Sequence, residues 1–174
     1  MTMLFIAAQI LSAIGFVVNT ASIQFKNKKN IIFGKAISNF IYAIQYLLLG
    51  SITAFLTGIV AGVRNVLFMN GTKKASIWTL IPFIIIAILI GIFTYTDLFS
   101  ILPVIITMIQ SYIAWQSKEK IIRYGSLIVC IMWLPYLIHI RGYVTFITTI
   151  ITLISVIIAI VRYDIKKEKK KMHI

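Results

Sequence analysis

Apolar residues run along this chain in long blocks rather than in alternation, and short polar gaps separate the blocks. Seven blocks emerge, at about 3–25, 30–49, 52–70, 76–96, 98–116, 121–140 and 142–163. Each is close to the roughly 20 residues that a helix needs to cross the apolar core of a bilayer. Unbroken runs exclude the alternating strands of a membrane barrel, and an open strand edge in lipid would leave backbone groups unpaired. The pattern therefore predicts an all-α polytopic membrane protein with seven transmembrane helices. Seven spans use up nearly all of the 174 residues, leaving a single membrane domain over 1–174 that ends in a basic tail at 164–174. The first block lacks a basic leader and a small-residue cleavage site, so it is expected to be a retained span rather than a signal peptide.

Charge then orients the spans. The chain has 17 Lys and Arg against 4 Asp and Glu, with a mean hydropathy of +1.00. Fifteen of the basic residues fall in alternate gaps: Lys26, Lys28, Lys29 and Lys35; Lys73 and Lys74; Lys118, Lys120 and Arg123; and the tail from Arg162. The opposite gaps hold Gly50-Ser51, Asp97 and Arg141-Gly142. Positive charge marks the cytoplasmic side, so the N-terminus is expected outside and the C-terminus in the cytoplasm. Nucleic acid is not an expected partner, because the bases flank apolar spans rather than forming a solvated face. The alternation demands an odd number of spans.

An internal repeat follows from the layout. Residues 3–70 and 98–163 each read as a helix, a basic loop, a helix, a tight outside turn and a third helix. At an offset of 90, Phe25 pairs with Trp115 and Tyr46-Leu47 with Tyr136-Leu137. One inserted residue at the turn then pairs Phe55 with Phe146 and Thr57 with Thr148. A three-helix unit is inverted in its next copy unless an odd helix intervenes, and the span at 76–96 supplies it. The expected arrangement is two parallel three-helix bundles joined by a linker helix, 3+1+3.

Polar residues mark the faces that should turn inward. Thr53, Thr57, Ala61 and Arg64 share one face of the third span, and Thr145, Thr148, Thr152 and Ser155 one face of the seventh. The stretch Leu80 to Phe93 has no hydrogen-bonding side chain, so the fourth span is expected to be peripheral. Arg64 is the one base well inside a span, at a cost of about 2.5–3.5 kcal/mol on insertion scales. Solute contact and snorkelling to headgroups are both open to it. Asn39 and Tyr42 on the second span, Asn65 on the third and Thr149 on the seventh offer neutral hydrogen-bonding groups. Trp133 offers a flat face for a ring, while Pro103 and Pro135 are candidate kinks for gating. Interhelical hydrogen bonding accounts for the same amides and hydroxyls without any solute. Gly58 and Gly62 have the spacing of a close helix crossing.

Paired acids, a Cys/His cluster, a phosphate loop and a nucleophile triad are all missing from the sequence. No catalytic residue, metal site or cofactor is expected, and an enzyme is not. Cys130 stands alone, so no intrachain disulfide forms.

The motifs Ser22-Ile-Gln-Phe-Lys26, Tyr46-Leu-Leu-Leu-Gly50 and Val63-Arg64-Asn65 resemble those of the YgjV-type bacterial inner-membrane protein family. The likeness covers most of the chain and implies a multi-pass place in the bacterial cytoplasmic membrane rather than any particular chemistry. The 3+1+3 layout is also similar to that of the SWEET and PnuC groups, which move sugars and a nicotinamide nucleoside by facilitated diffusion. That second resemblance implies passive transport of a neutral polar small solute, with Asn39, Tyr42, Arg64, Asn65, Trp133 and Thr149 near the path. The other function class is a non-transporting membrane subunit or assembly factor whose polar stripes bind a partner. Two repeats in one chain would complete a pathway as a monomer without forbidding a homo-oligomer.

Overall fold

The computed structural model describes residues 2–23, 28–68, 77–115 and 119–161. The basic gaps holding Lys26, Lys73, Lys74 and Lys118, and the tail 164–174, lie outside the described residues. Those described form seven α-helices and no strand: α1 (Thr2–Ile23), α2 (Lys28–Leu48), α3 (Ile52–Phe68), α4 (Ile77–Phe93), α5 (Ile101–Trp115), α6 (Glu119–His139) and α7 (Tyr143–Ile160). By length and composition the stretches Met3–Ala21 and Leu98–Trp115 suffice to cross a membrane, and Ile52–Phe68, Ile77–Phe93 and Tyr143–Ile158 are shorter apolar helices.

The boundaries follow the sequence pattern closely, with one informative exception. α4 stops at Phe93 rather than running to 96, and residues 94–97 turn the chain. The Thr94 hydroxyl donates to the Ile90 carbonyl at 2.7 Å. Asp97 then caps a 3-10 turn at Leu98–Ser100, its side chain accepting from the Ser100 amide at 2.8 Å. α5 starts after that turn, so Pro103 sits in its first turn, where a missing N–H is tolerated. Pro135, by contrast, lies inside α6 with its ring exposed.

Two helix ends close in the same way. At the end of α2 the Gly50 amide donates to Leu47 O (3.0 Å) and the Ser51 amide to Tyr46 O (2.9 Å). At the end of α6 the Arg141 amide donates to Ile138 O (3.1 Å) and the Gly142 amide to Leu137 O (2.8 Å). Both are Schellman closures, with a left-handed residue after the helix: Gly50 at φ 83° and Arg141 at φ 58°. The same bonds recur 91 residues apart. Turn for turn, Gln45 stands where Tyr136 does, and Tyr46 where Leu137 does. Burial agrees, since Gln45 (0% exposed) and Tyr136 (2%) are both interior, whereas Leu47 and Ile138 both face outward. The shared Tyr-Leu dipeptide gives an offset of 90, whereas the two turns superpose at 91.

Arg141 is a non-glycine residue held at positive φ, a conformation costing an L residue about 1 kcal/mol. Arg141→Gly is expected to raise stability by about 0.5–1 kcal/mol, because the backbone carbonyl bonded to Gln9 is retained. Thermal unfolding followed by dye labelling of the buried Cys130 thiol checks this, and a lowered midpoint would show that the Arg141 side chain has a role of its own.

Helix packing groups α1 with α2 and α2 with α3, and likewise α5 with α6 and α6 with α7. The two trios meet along α1–α7 and α3–α5, while α4 lies against α5 and α3. Glycines let the helices of a trio approach. A Cβ on Gly58 would sit 3.0 Å from the Ala43 Cβ, and one on Gly62 would sit 2.8 Å from the Phe40 ring. One on Gly125 would meet Ile113 at 2.6 Å.

Polar side chains are frequent inside, beside apolar clusters, and large apolar side chains are frequent outside, unlike a water-soluble domain. Among the described residues, the interior includes Ser12, Ser38, Gln45, Thr53, Thr57, Arg64, Thr107, Ser111, Thr145 and Thr148, together with small residues such as Ala8, Ala43 and Ala54. The outside is a coat of isoleucine, leucine, valine and aromatic side chains on every helix. On α4 the buried side chains are Leu80, Phe83 and Ala87, and most of the others are exposed.

Candidate functional site

The polar side chains converge on the seams between the trios. Along α1–α7 the Ser12 and Thr145 hydroxyls share a hydrogen bond of 2.6 Å, and Gln45 Nε2 donates to the same Thr145 Oγ1 at 2.6 Å. Three helices thus meet at one hydroxyl. Gln45 is fully buried, and its Oε1 has no hydrogen-bond partner. An unbonded amide oxygen in an apolar interior costs about 1–3 kcal/mol, so this is an acceptor open to a further donor. Toward the turns, Gln9 clamps α1 to the α6–α7 corner: its Nε2 donates to Arg141 O (3.2 Å) and its Oε1 accepts from the Val144 amide (3.0 Å).

Between α2 and α6 the contact is made by rings. Tyr46 stacks on Trp133 with centroids 5.5 Å apart and planes within 9°, and Tyr136 meets Trp133 edge-on, also at 5.5 Å. Ala54 and Leu137 complete a buried cluster, with Tyr42, Leu102, Ile140 and Phe146 packed around it. The Tyr136 hydroxyl bonds Ser51 at the first tight turn. Tyr42 also lies over α1, because a Cβ on Gly15 would come within 3.0 Å of its ring.

The α3–α5 seam holds Arg64. Its side chain is buried at 4% exposure, which removes snorkelling to the surface as an account of it. Nη1 donates to Ser111 Oγ at 2.9 Å, and Nη2 reaches Asn65 Oδ1 at 3.5 Å, the outer limit of a hydrogen bond. Nε has no partner. Removing such a charge from water costs several kcal/mol even after the protein relaxes.

The candidates from the sequence divide accordingly. Tyr42 and Trp133 meet in the aromatic cluster; Arg64 and Asn65 meet on α3. Asn39 is half-buried on α2. Thr149 is half-buried with its hydroxyl donated to Thr145 O of its own helix at 2.7 Å, which turns its proton away from the seam. Pro103 is buried at the start of α5, and Pro135 lies on the outer side of α6. The expected inward face of α3 is buried as a whole, Thr53, Thr57, Ala61 and Arg64 included. On α7 burial covers Thr145 and Thr148, while Ser155 is exposed.

Three groups escaped sequence reasoning. Gln45 looks like a mere neighbour of the Tyr42–Tyr46 face, and Ser111 is an ordinary serine in an apolar run. His139 pairs with Asp97, Nε2 to Oδ2 at 2.8 Å, and stacks on Phe99 at 4.4 Å. Each partner lies far away in sequence, and no local spacing announces such a pair. Among the described residues, no three His, Cys, Asp or Glu side chains gather as a metal would require.

A helical fold with an apolar coat and a polar interior is the organisation of a membrane protein. Neither a curated protein nor a solved structure matches the chain. A family model described as bacterial inner membrane protein, Imp-YgjV, matches residues 6–167, nearly the whole length. The chain therefore belongs to the YgjV family of bacterial inner membrane proteins.

Proposed function

We propose that this protein is a small passive transporter whose seven helices all span the membrane, with the N-terminus outside and the C-terminus in the cytoplasm. The two trios act as parallel three-helix repeats linked by α4, and a polar small solute of the sugar, nucleoside or vitamin class passes between them. Duplicated Schellman turns 91 residues apart support the repeat, as do the matching seams, α1 with α7 and α5 with α3. In this conformation the Tyr46–Trp133–Tyr136 rings close the interface on the side of the tight turns. No bond-making chemistry is assigned to any residue.

One observation carries the reading: two buried polar groups between the trios, Gln45 Oε1 and Arg64 Nε, are left without partners. Side chains serving only as glue between helices would be expected to satisfy one another. A specific observation favours the second class, a non-transporting membrane subunit. Thr148, Thr149, Thr152 and Ser155 all donate to carbonyls of α7 itself, so that stripe needs no solute.

Purified protein in liposomes is expected to accelerate uptake of at least one member of a nucleoside, vitamin and sugar panel. Trp133→Ala should slow that uptake about tenfold, the loss of one aromatic platform of about 1.5 kcal/mol. Asn39→Ala should slow it several-fold, by one hydrogen bond of about 1 kcal/mol. Uptake no faster than in empty liposomes across the panel would leave the subunit reading in its place.

A further inference from the structure

Arg64 raises a question of charge. A guanidinium stays protonated in proteins and carries five N–H donors in a planar fork. Here its two bonds go to neutral oxygens, Ser111 Oγ and Asn65 Oδ1. Ser111 is set up to accept rather than donate, since its own proton is committed to Thr107 O at 2.7 Å. Both neighbours orient the guanidinium without neutralising it. Among the residues whose side chains are described, no carboxylate pairs with it. Asp97 is bound to His139 and follows Thr94, which bonds Thr53. Thr53 and Arg64 are eleven residues apart on α3, a rise of about 16 Å. A purely structural tie to Ser111 could be made by a neutral amide, with no charge to desolvate.

We infer that Arg64 is the anchor of an oxyanion site, and that its ligand is the carboxylate or phosphate of a small solute. Nε and an adjacent Nη form the edge that accepts two carboxylate oxygens side by side, and Nε is the atom left open. The register set by Gly58 over Ala43 and Gly62 over Phe40 brings Arg64 to the height of Ile37 and Ser38, one residue short of Asn39. Asn39, half-buried there, offers a neutral group to the body of the same solute. On this inference the polar solute carries an anionic end, where the sequence reading expected a neutral one. That this ligand is the transported solute rests on the transporter reading; that it binds does not.

The test is binding to the full chain in detergent, read as a rise in the Cys130 labelling midpoint with sodium acetate or sodium phosphate, against sodium chloride at equal ionic strength. Acetate or phosphate is expected to protect the wild type at millimolar concentration, and Arg64→Gln to weaken that protection about tenfold or more. Arg64→Lys, which keeps the charge but not the fork, should recover only part of it. The empty Arg64→Gln protein should be at least as stable as the empty wild type, since an uncompensated charge has been removed. Equal protection by chloride would overturn the site. So would an Arg64→Gln protein that is destabilised while Arg64→Lys is not, with neither acetate nor phosphate protecting the wild type. Protection by phosphatidylglycerol but not by acetate or phosphate would make the oxyanion a lipid headgroup and overturn the solute assignment. Acetate binding without flux for any solute would remove the transporter reading and leave the site standing. Flux with no protection by either oxyanion would do the reverse.

Discussion

Gly58→Leu is expected to part α2 from α3 and to lower stability by about 3 kcal/mol or more, the upper range for overpacking. The added Cβ would lie 3.0 Å from the Ala43 Cβ and 3.3 Å from the Ala43 Cα. Ala43 is itself fully buried, so there is no rotamer to swing aside and the helix axis has to move. In a membrane this is costlier than it looks, because close backbone approach is a main source of helix–helix attraction there. Gly62→Ala meets the edge of the Phe40 ring instead, and a ring can turn. The midpoint of Cys130 labelling should therefore fall by about 10 °C for Gly58→Leu and by much less for Gly62→Ala. A Gly58→Leu midpoint within 2 °C or so of wild type would mean that the crossing is looser than described here.

Thr145→Val should be the next most damaging change, although it preserves shape. Thr145 Oγ1 is the shared partner of Ser12 on α1 and Gln45 Nε2 on α2. Removing it strands two fully buried polar groups at once, at about 1–3 kcal/mol each. A loss of about 2–4 kcal/mol is expected once some relaxation is allowed. Thr148→Val is the matched control. That hydroxyl is buried one turn further along, but it donates to Thr145 O on its own helix, a carbonyl that remains in the helical ladder. Its replacement should cost less than about 1 kcal/mol. If the two variants unfold together, the junction of α1, α2 and α7 is not held by this hydroxyl.

Seven helices were legible because long apolar runs broken by charged gaps mark where each helix begins and ends. The inward face of α3 was legible for a similar reason, since four residues at helical spacing share one environment. Partnerships were not. Gln45 and Thr145 are 100 residues apart, Ser12 and Thr145 are 133 apart, and Arg64 and Ser111 are 47 apart. Each depends on which helix faces which, and periodicity within one helix carries no information on its neighbour. The two similar helix closures 91 residues apart were not legible either, because their hydrogen bonds are made by backbone atoms common to every residue. Pro103 shows the same limit. Its effect depends on whether α5 begins well before it or just two residues earlier, and the 3-10 turn capped by Asp97 decides that.

The reversed polarity of the molecule also governs how its stability responds to temperature. In a soluble domain, unfolding brings buried hydrocarbon into water, and the resulting heat-capacity increase bends the stability curve into a dome. Here isoleucines such as Ile131, Ile147 and Ile154 already face outward in the folded state. Drawing the trios apart within a bilayer uncovers serine, threonine and alanine along with the Tyr46–Trp133 ring cluster, and changes little for those outward isoleucines. The curvature that hydrocarbon hydration supplies is then largely missing. Stability falls off along a flatter line, set by hydroxyl bonds and van der Waals contact rather than by the fading of a hydrophobic drive in the cold.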